Sequence, residues 1–113
     1  MKNQQDLTNK KCVPCEGGTP PLTLAQISEY QQQLVAPWEV IDSKKITKDF
    51  KFKNFKQAVA FINQVAEIAE LEGHHPDILL HGYNKVRLDL WTHAIGGLSE
   101  NDFIIAAKVD KLN

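Results

Sequence analysis

Residues 74–93 read HHPDILLHGYNKVRLDLWTH. From Lys85 to Thr92 the stretch alternates: Val86, Leu88 and Leu90 are apolar, while Arg87 and Asp89 are charged. Successive side chains leave a pleated backbone on opposite sides, so alternation of period two marks a strand with one wet face. Asp77 to His81 reads as a shorter strand, and Gly82-Tyr83-Asn84 is the connection between the two. Strands joined by so short a turn form an antiparallel hairpin. This stretch therefore predicts an antiparallel sheet.

The flanking sequence supplies the other elements. Thr23 is a helix N-cap with Gln26 as its capping-box partner, and Ile27, Tyr30 and Leu34 share one helical face that Pro37 ends. Trp38 to Ile41 is a short strand, Asp42-Ser43-Lys44 a turn, and Ile46 to Phe52 a second strand. In that second strand Ile46, Phe50 and Phe52 face inward, and Thr47, Asp49 and Lys51 outward. Asn54 caps the longest helix, where Phe55, Ala58, Val59, Ile62, Val65, Ala66 and Ala69 keep a 3.6-residue period up to Gly73. After Gly96-Gly97, Ser99 caps a last helix, with Asp102 at its third position, running to about Lys111. The order α-β-β-α-β-β-α predicts an α+β fold of two layers, a four-stranded antiparallel sheet with three helices on one face. Residues 1–21 are polar and turn-rich and read as a flexible N-terminal tail, and residues 22–113 as one domain.

The chain has 113 residues, 42% of them hydrophobic and 24% charged, which suits a single globular domain. A chain this short often gains from self-association. A net charge of -1 argues against nucleic-acid binding driven by phosphate contacts. Met1 to Lys11 lacks the apolar segment of an export signal, and no apolar run is long enough to span a bilayer. With only two cysteines, these features point to a cytoplasmic protein without a membrane segment.

Three of the four histidines, His74, His75 and His93, fall within twenty residues. Pro76 holds His75 extended, so the His74 and His75 imidazoles point to opposite sides. The hairpin returns the end of its second strand to the start of its first, which brings His93 beside the pair. Imidazoles close together suit proton transfer near neutral pH. They also suit a metal, but the adjacent pair aims apart and no carboxylate stands at a familiar ligand spacing. Histidines hydrogen-bonded at element ends are the plainer reading. His81, at the turn end of the hairpin, reads as a surface residue.

His74-His75-Pro76, Tyr83-Asn84-Lys85-Val86, Thr92-His93, Gly97-Leu98-Ser99 and Asp102 together resemble the pterin-4a-carbinolamine dehydratase family, over about residues 22–112. The resemblance implies a hydro-lyase that converts 4a-hydroxytetrahydropterin to quinonoid dihydropterin, recycling the pterin of aromatic amino-acid hydroxylases such as phenylalanine hydroxylase. It implies no metal and no organic cofactor. It makes His74, His75 and His93 catalytic, with pterin contacts from His74, His75 and Pro76 and from Thr92, His93, Ala94 and Ile95. It also implies a homodimer or homotetramer. Two other roles follow from it: a dimerisation or regulatory module, as in animal members that pair with a homeodomain transcription factor, and a part in molybdopterin metabolism. Gly73 and Ala94 stand where some members carry acidic residues, and Ile78 where some carry an aromatic. Asp102 belongs to the pattern, yet its role as a capping partner for Ser99 suffices. Tyr83 reads as a turn or core aromatic. Trp91, on the face opposite Leu90, is positioned to lie against the pterin.

Cys12-Val13-Pro14-Cys15 has the spacing of a zinc half-site or a redox pair. One pair lacks the two further ligands of structural zinc, and no strand precedes it as in a thioredoxin-like motif. It reads as a pair of free thiols in the tail, with a zinc site shared between subunits as the alternative.

Overall fold

The structure, a computed structural model, describes residues 7–13 and 19–112. The elements run α1 (Leu24–Gln32), β1 (Glu39–Ile41), β2 (Lys45–Lys51), α2 (Phe55–Glu72), β3 (Asp77–His81), β4 (Lys85–Leu90) and α3 (Glu100–Asp110), with a 3₁₀ turn at His93–Ile95. The strands form one antiparallel sheet in the order β1-β2-β4-β3. The α+β class expected from the hairpin is borne out.

Register explains which faces are buried. Ile46 of β2 lies opposite Leu90 of β4, and Phe50 opposite Val86. Leu80 of β3 lies opposite Val86, and Ile78 opposite Leu88. Cross-strand partners share a face, so these residues make one apolar surface. Ile46, Val86, Leu88 and Leu90 are fully buried there. Residues Ala58, Phe61, Val65 and Ala69 of α2 close over that face. Helix α3 packs against both α1 and α2 and buries nearly all its residues, Phe103 to Ala107 among them. Its central run, Phe103 to Ala107, is apolar on every side and so belongs in the core. Each large side chain buried here is worth about 1.5–3 kcal/mol. The far end of α3 is tied to the sheet, where Asp110 accepts from Trp38 Nε1 at 3.2 Å and from Lys48 Nζ at 2.8 Å.

Three boundaries differ from the sequence reading. Helix α1 stops at Gln32 rather than continuing toward Pro37. Its last turn tightens through Gln33 N–H to Tyr30 O and Leu34 N–H to Gln31 O, and the Gln31 side chain clamps both backbone groups of Trp38. Strand β4 stops at Leu90, because Thr92 leaves the ladder to bridge Gly97. The N-terminal segment is not wholly a tail: Leu7 is fully buried in the core, and Lys10, Cys12 and Val13 bond to α2 and α3. One leucine among polar residues gives no periodic signal, so this docking has no local signature. Among the described residues, no helix is long and apolar enough to cross a membrane.

Candidate active site

Gly73 ends α2 in the left-handed region, at φ 66°, where glycine has no Cβ to clash. The chain reverses there and delivers His74, His75 and Pro76 to the start of β3. Strand β4 runs antiparallel to β3 and returns Trp91 to the same end, where its Nε1 lies 3.4 Å from Asp77 Oδ2. Thr92 N–H then donates to Gly97 O at 2.8 Å, closing the 3₁₀ turn that carries His93 and Ala94. Gly97 fits because the chain passes close by: a Cβ there would stand 2.7 Å from Pro21 Cβ.

These segments line a cavity of about 570 Å³, bounded by His74, His75, Pro76, Thr92, His93 and Ala94. That is within the usual range for a small-molecule site. Trp91, Cys12 and Val13 also line it. Ile95 does not. Three successive residues of a 3₁₀ turn point about 120° apart, so they do not all face one opening, and Ile95 is the one left off it.

The three histidines are held differently. His74 is mostly buried, with Nε2 2.7 Å from Oδ1 of Asp102, whose side chain has no solvent exposure. Oδ2 of Asp102 accepts from Thr92 Oγ1 at 2.8 Å and from Ser99 N–H at 3.0 Å. Thr92 has one hydroxyl proton, so the 2.7 Å contact between Ser99 Oγ and Thr92 Oγ1 is donated by Ser99. A buried carboxylate with three donors meets its hydrogen-bonding needs. Asp102 thus caps α3, as the sequence led one to expect, and also holds His74. A carboxylate only accepts, so His74 donates from Nε2, and the tautomer this selects carries its lone pair on Nδ1.

His75 Nε2 lies 2.6 Å from Glu70 Oε2, but both side chains are largely in solvent, at 60% and 77% exposure. Such pairs are worth about 0–1 kcal/mol. His93 is exposed and lies against the Trp91 indole, with ring centroids 3.8 Å apart and planes tilted by 40°. His81 is exposed at the opposite end of the hairpin, paired with Lys85. Tyr83 is an exposed turn residue at φ 56°, so its core reading falls away.

Glu72 sits under the cavity wall. Burial pushes its carboxyl upward, but the Lys108 ammonium at 2.6 Å, the Cys12 N–H at 2.9 Å and the positive charges of Lys108 and Lys11 outweigh that and hold it below the usual glutamate range. Among the described residues, no group of three or more His, Cys, Asp or Glu side chains is placed to hold a metal ion. Cys15 lies outside the described residues. Sequence reasoning missed the hold of Asp102 on His74, the Glu70 partner of His75 and the cavity-lining position of Cys12 and Val13. Only the Glu70–His75 spacing, five residues across a helix end, was a local signal.

A family model, pterin 4 alpha carbinolamine dehydratase, matches residues 20–112. A protein of Alkaliphilus metalliredigens, provisionally named pterin-4-alpha-carbinolamine dehydratase, is 52% identical over 94% of this chain and 95% of its own length. The mitochondrial pterin-4-alpha-carbinolamine dehydratase 2 of Arabidopsis thaliana is 46% identical over 95% of this chain and 59% of its own. Among solved structures, a transcriptional coactivator/pterin dehydratase from Brucella melitensis superposes with a TM-score of 0.74 at 35% identity, covering 81% of this chain and 97% of that one. A pterin dehydratase-like protein identified as a RuBisCO assembly factor in the alpha-carboxysome gives a TM-score of 0.56 at 30% identity, over 66% of this chain and 87% of that one. The chain belongs to the pterin-4a-carbinolamine dehydratase family.

Proposed function

We propose that this protein dehydrates a 4a-hydroxytetrahydropterin to the quinonoid dihydropterin and water. The observation that carries the reading is the pairing of His74 with buried Asp102 at the wall of a cavity that His93 also lines. In the reaction the C4a–O bond breaks, the N5 lone pair forms the C4a=N5 bond, and N5 loses its proton. The departing hydroxyl takes up a proton and leaves as water.

His74 is suited to the N5 proton. Its Nε2–H is committed to Asp102, its Nδ1 is the acceptor, and the carboxylate stabilises the imidazolium that forms. His93, exposed at the cavity, delivers the proton to the leaving hydroxyl. Trp91 backs the His93 ring and holds it in place at the cavity mouth. His75 orients the substrate by hydrogen bonding. Pro76, Thr92 and Ala94 supply further wall. The reaction uses no metal and no organic cofactor, acts on the pterin released by an aromatic amino-acid hydroxylase such as phenylalanine hydroxylase, and takes place in the cytoplasm. The protein works as a homo-oligomer. The exposed Ile78 and Leu79 on the outer strand β3 support self-association through that edge.

The test is a dehydration assay with chemically generated 4a-hydroxytetrahydropterin. The expected result is a rate well above the spontaneous one that falls in His74→Ala and His93→Ala variants. A wild-type rate equal to the spontaneous one overturns the reading in favour of a binding module.

A further inference from the structure

The segment Leu7 to Val13 lies outside the span matched by the family model, yet it reaches the cavity. Leu7 is inserted in the core with no solvent exposure. Lys10 Nζ pairs with Glu100 Oε2 at 2.6 Å. Cys12 N–H donates to Glu72 Oε1 at 2.9 Å, and its thiol lies 3.7 Å from the carbonyl oxygen of Asn101. Val13 exchanges two hydrogen bonds with the Asn101 side chain: its N–H donates to Oδ1 at 3.0 Å, and its C=O accepts from Nδ2 at 2.6 Å.

The groups receiving the segment are themselves buried. The Glu72 side chain is 5% exposed and Asn101 is 5% exposed. Buried polar groups left unpaired cost about 1–3 kcal/mol each, so a carboxylate and an amide aimed at passing backbone make a built dock. Both stand beside the proposed machinery: Glu72 is two residues before His74, and Asn101 is next to Asp102. Cys12 and Val13 line the cavity, and Val13 is 63% exposed, which leaves an apolar edge open to a ligand.

We propose that residues 7–13 are a fixed wall of the substrate cavity, with Val13 as a residue that sets affinity for the pterin and with Glu72 and Asn101 as positioning residues that hold the wall. This rests on the pterin reading above. A wall of this kind acts on binding rather than on proton transfer, so its loss raises KM and leaves kcat nearly unchanged.

The test uses the full chain and two variants. Asn101→Ala releases the wall. Val13→Asp places a carboxylate on it at an exposed position, where the fold tolerates substitution. Amide hydrogen exchange reads docking directly: the Cys12 and Val13 amides are protected in the wild type, and Val13 loses protection in Asn101→Ala. Fluorescence titration with 7,8-dihydrobiopterin reads the wall's part in binding. The expected result is a dissociation constant about tenfold weaker in both variants. In the dehydration assay KM rises with it, and kcat stays within about threefold. Unprotected Cys12 and Val13 amides in the wild type overturn the proposal. So does unchanged affinity in Val13→Asp when the wild type binds. A wild type that binds no dihydropterin instead overturns the pterin reading, and with it the ligand named for this wall.

Discussion

His74 Nε2 and Asp102 Oδ1 stand 2.7 Å apart, and no part of the Asp102 side chain meets solvent. The aspartate receives three donors, from His74, Thr92 and Ser99. An asparagine keeps its size but has one acceptor oxygen, so one donor would then face an NH₂ group. Asp102→Asn is expected to lower kcat/KM by about 100-fold or more, through loss of the His74 tautomer and of imidazolium stabilisation. It should also lower stability by about 1–3 kcal/mol. Steady-state dehydration kinetics and urea unfolding of the same variant measure both.

Removing His93 and removing His75 should separate sharply. His93→Ala is expected to slow dehydration by about 100- to 10,000-fold, the range for loss of a general acid or base. His75 rests on an exposed pair with Glu70, and a group so lightly held contributes mainly orientation. His75→Ala should slow the reaction by about fivefold or less, in keeping with an interaction worth about 0–1 kcal/mol. Equal losses in the two variants would remove the distinction between acid and positioning group.

At Gly97 the crowding comes from Pro21. A methyl group there would fall 2.7 Å from Pro21 Cβ, well inside van der Waals contact. Gly97→Ala is expected to cost about 1–3 kcal/mol, the typical cost of overpacking. Gly97 also carries the backbone bonds with Thr92, so the strain falls on the turn that presents His93. Denaturant unfolding checks the stability loss, and loss of dehydration in a still-folded variant checks the strain.

The depressed Glu72 carboxyl predicts a pH dependence with a definite sign. Its folded value lies below the unfolded value of 4.5, so its contribution is present above that pH and lost as pH falls through the folded value. Glu72→Gln should therefore be less stable than wild type at pH 7. The difference should be smaller at a pH below 4.5 than at pH 7, as the carboxyl takes up its proton. Urea midpoints of both proteins at the two pH values decide it.

Much of this architecture is legible because its determinants are local. The alternation of Val86, Leu88 and Leu90, the pairing of Thr23 with Gln26 and the Gly73 stop each lie within one element, and each forms as read. The return of His93 toward His74 follows from hairpin geometry alone. Contacts between distant positions leave no such trace. Asp102 reaches His74 across 28 residues, and Asn101 reaches Val13 across 88. Nothing in a capping box announces that its acidic member has a second partner. Nor does a polar segment holding one leucine announce that the leucine is fully buried. The alternation carries the strand on to Thr92. Its hydroxyl is instead spent on Asp102 and Ser99.

Helix α3 supplies the capping carboxylate and the dock for residues 12 and 13. A ribosome-bound chain stalled before residue 99 would already contain all three histidines and the whole sheet. It would still lack the carboxylate that accepts from His74 and the amide that receives Val13. The proposed site is therefore completed by the last helix rather than by the last histidine.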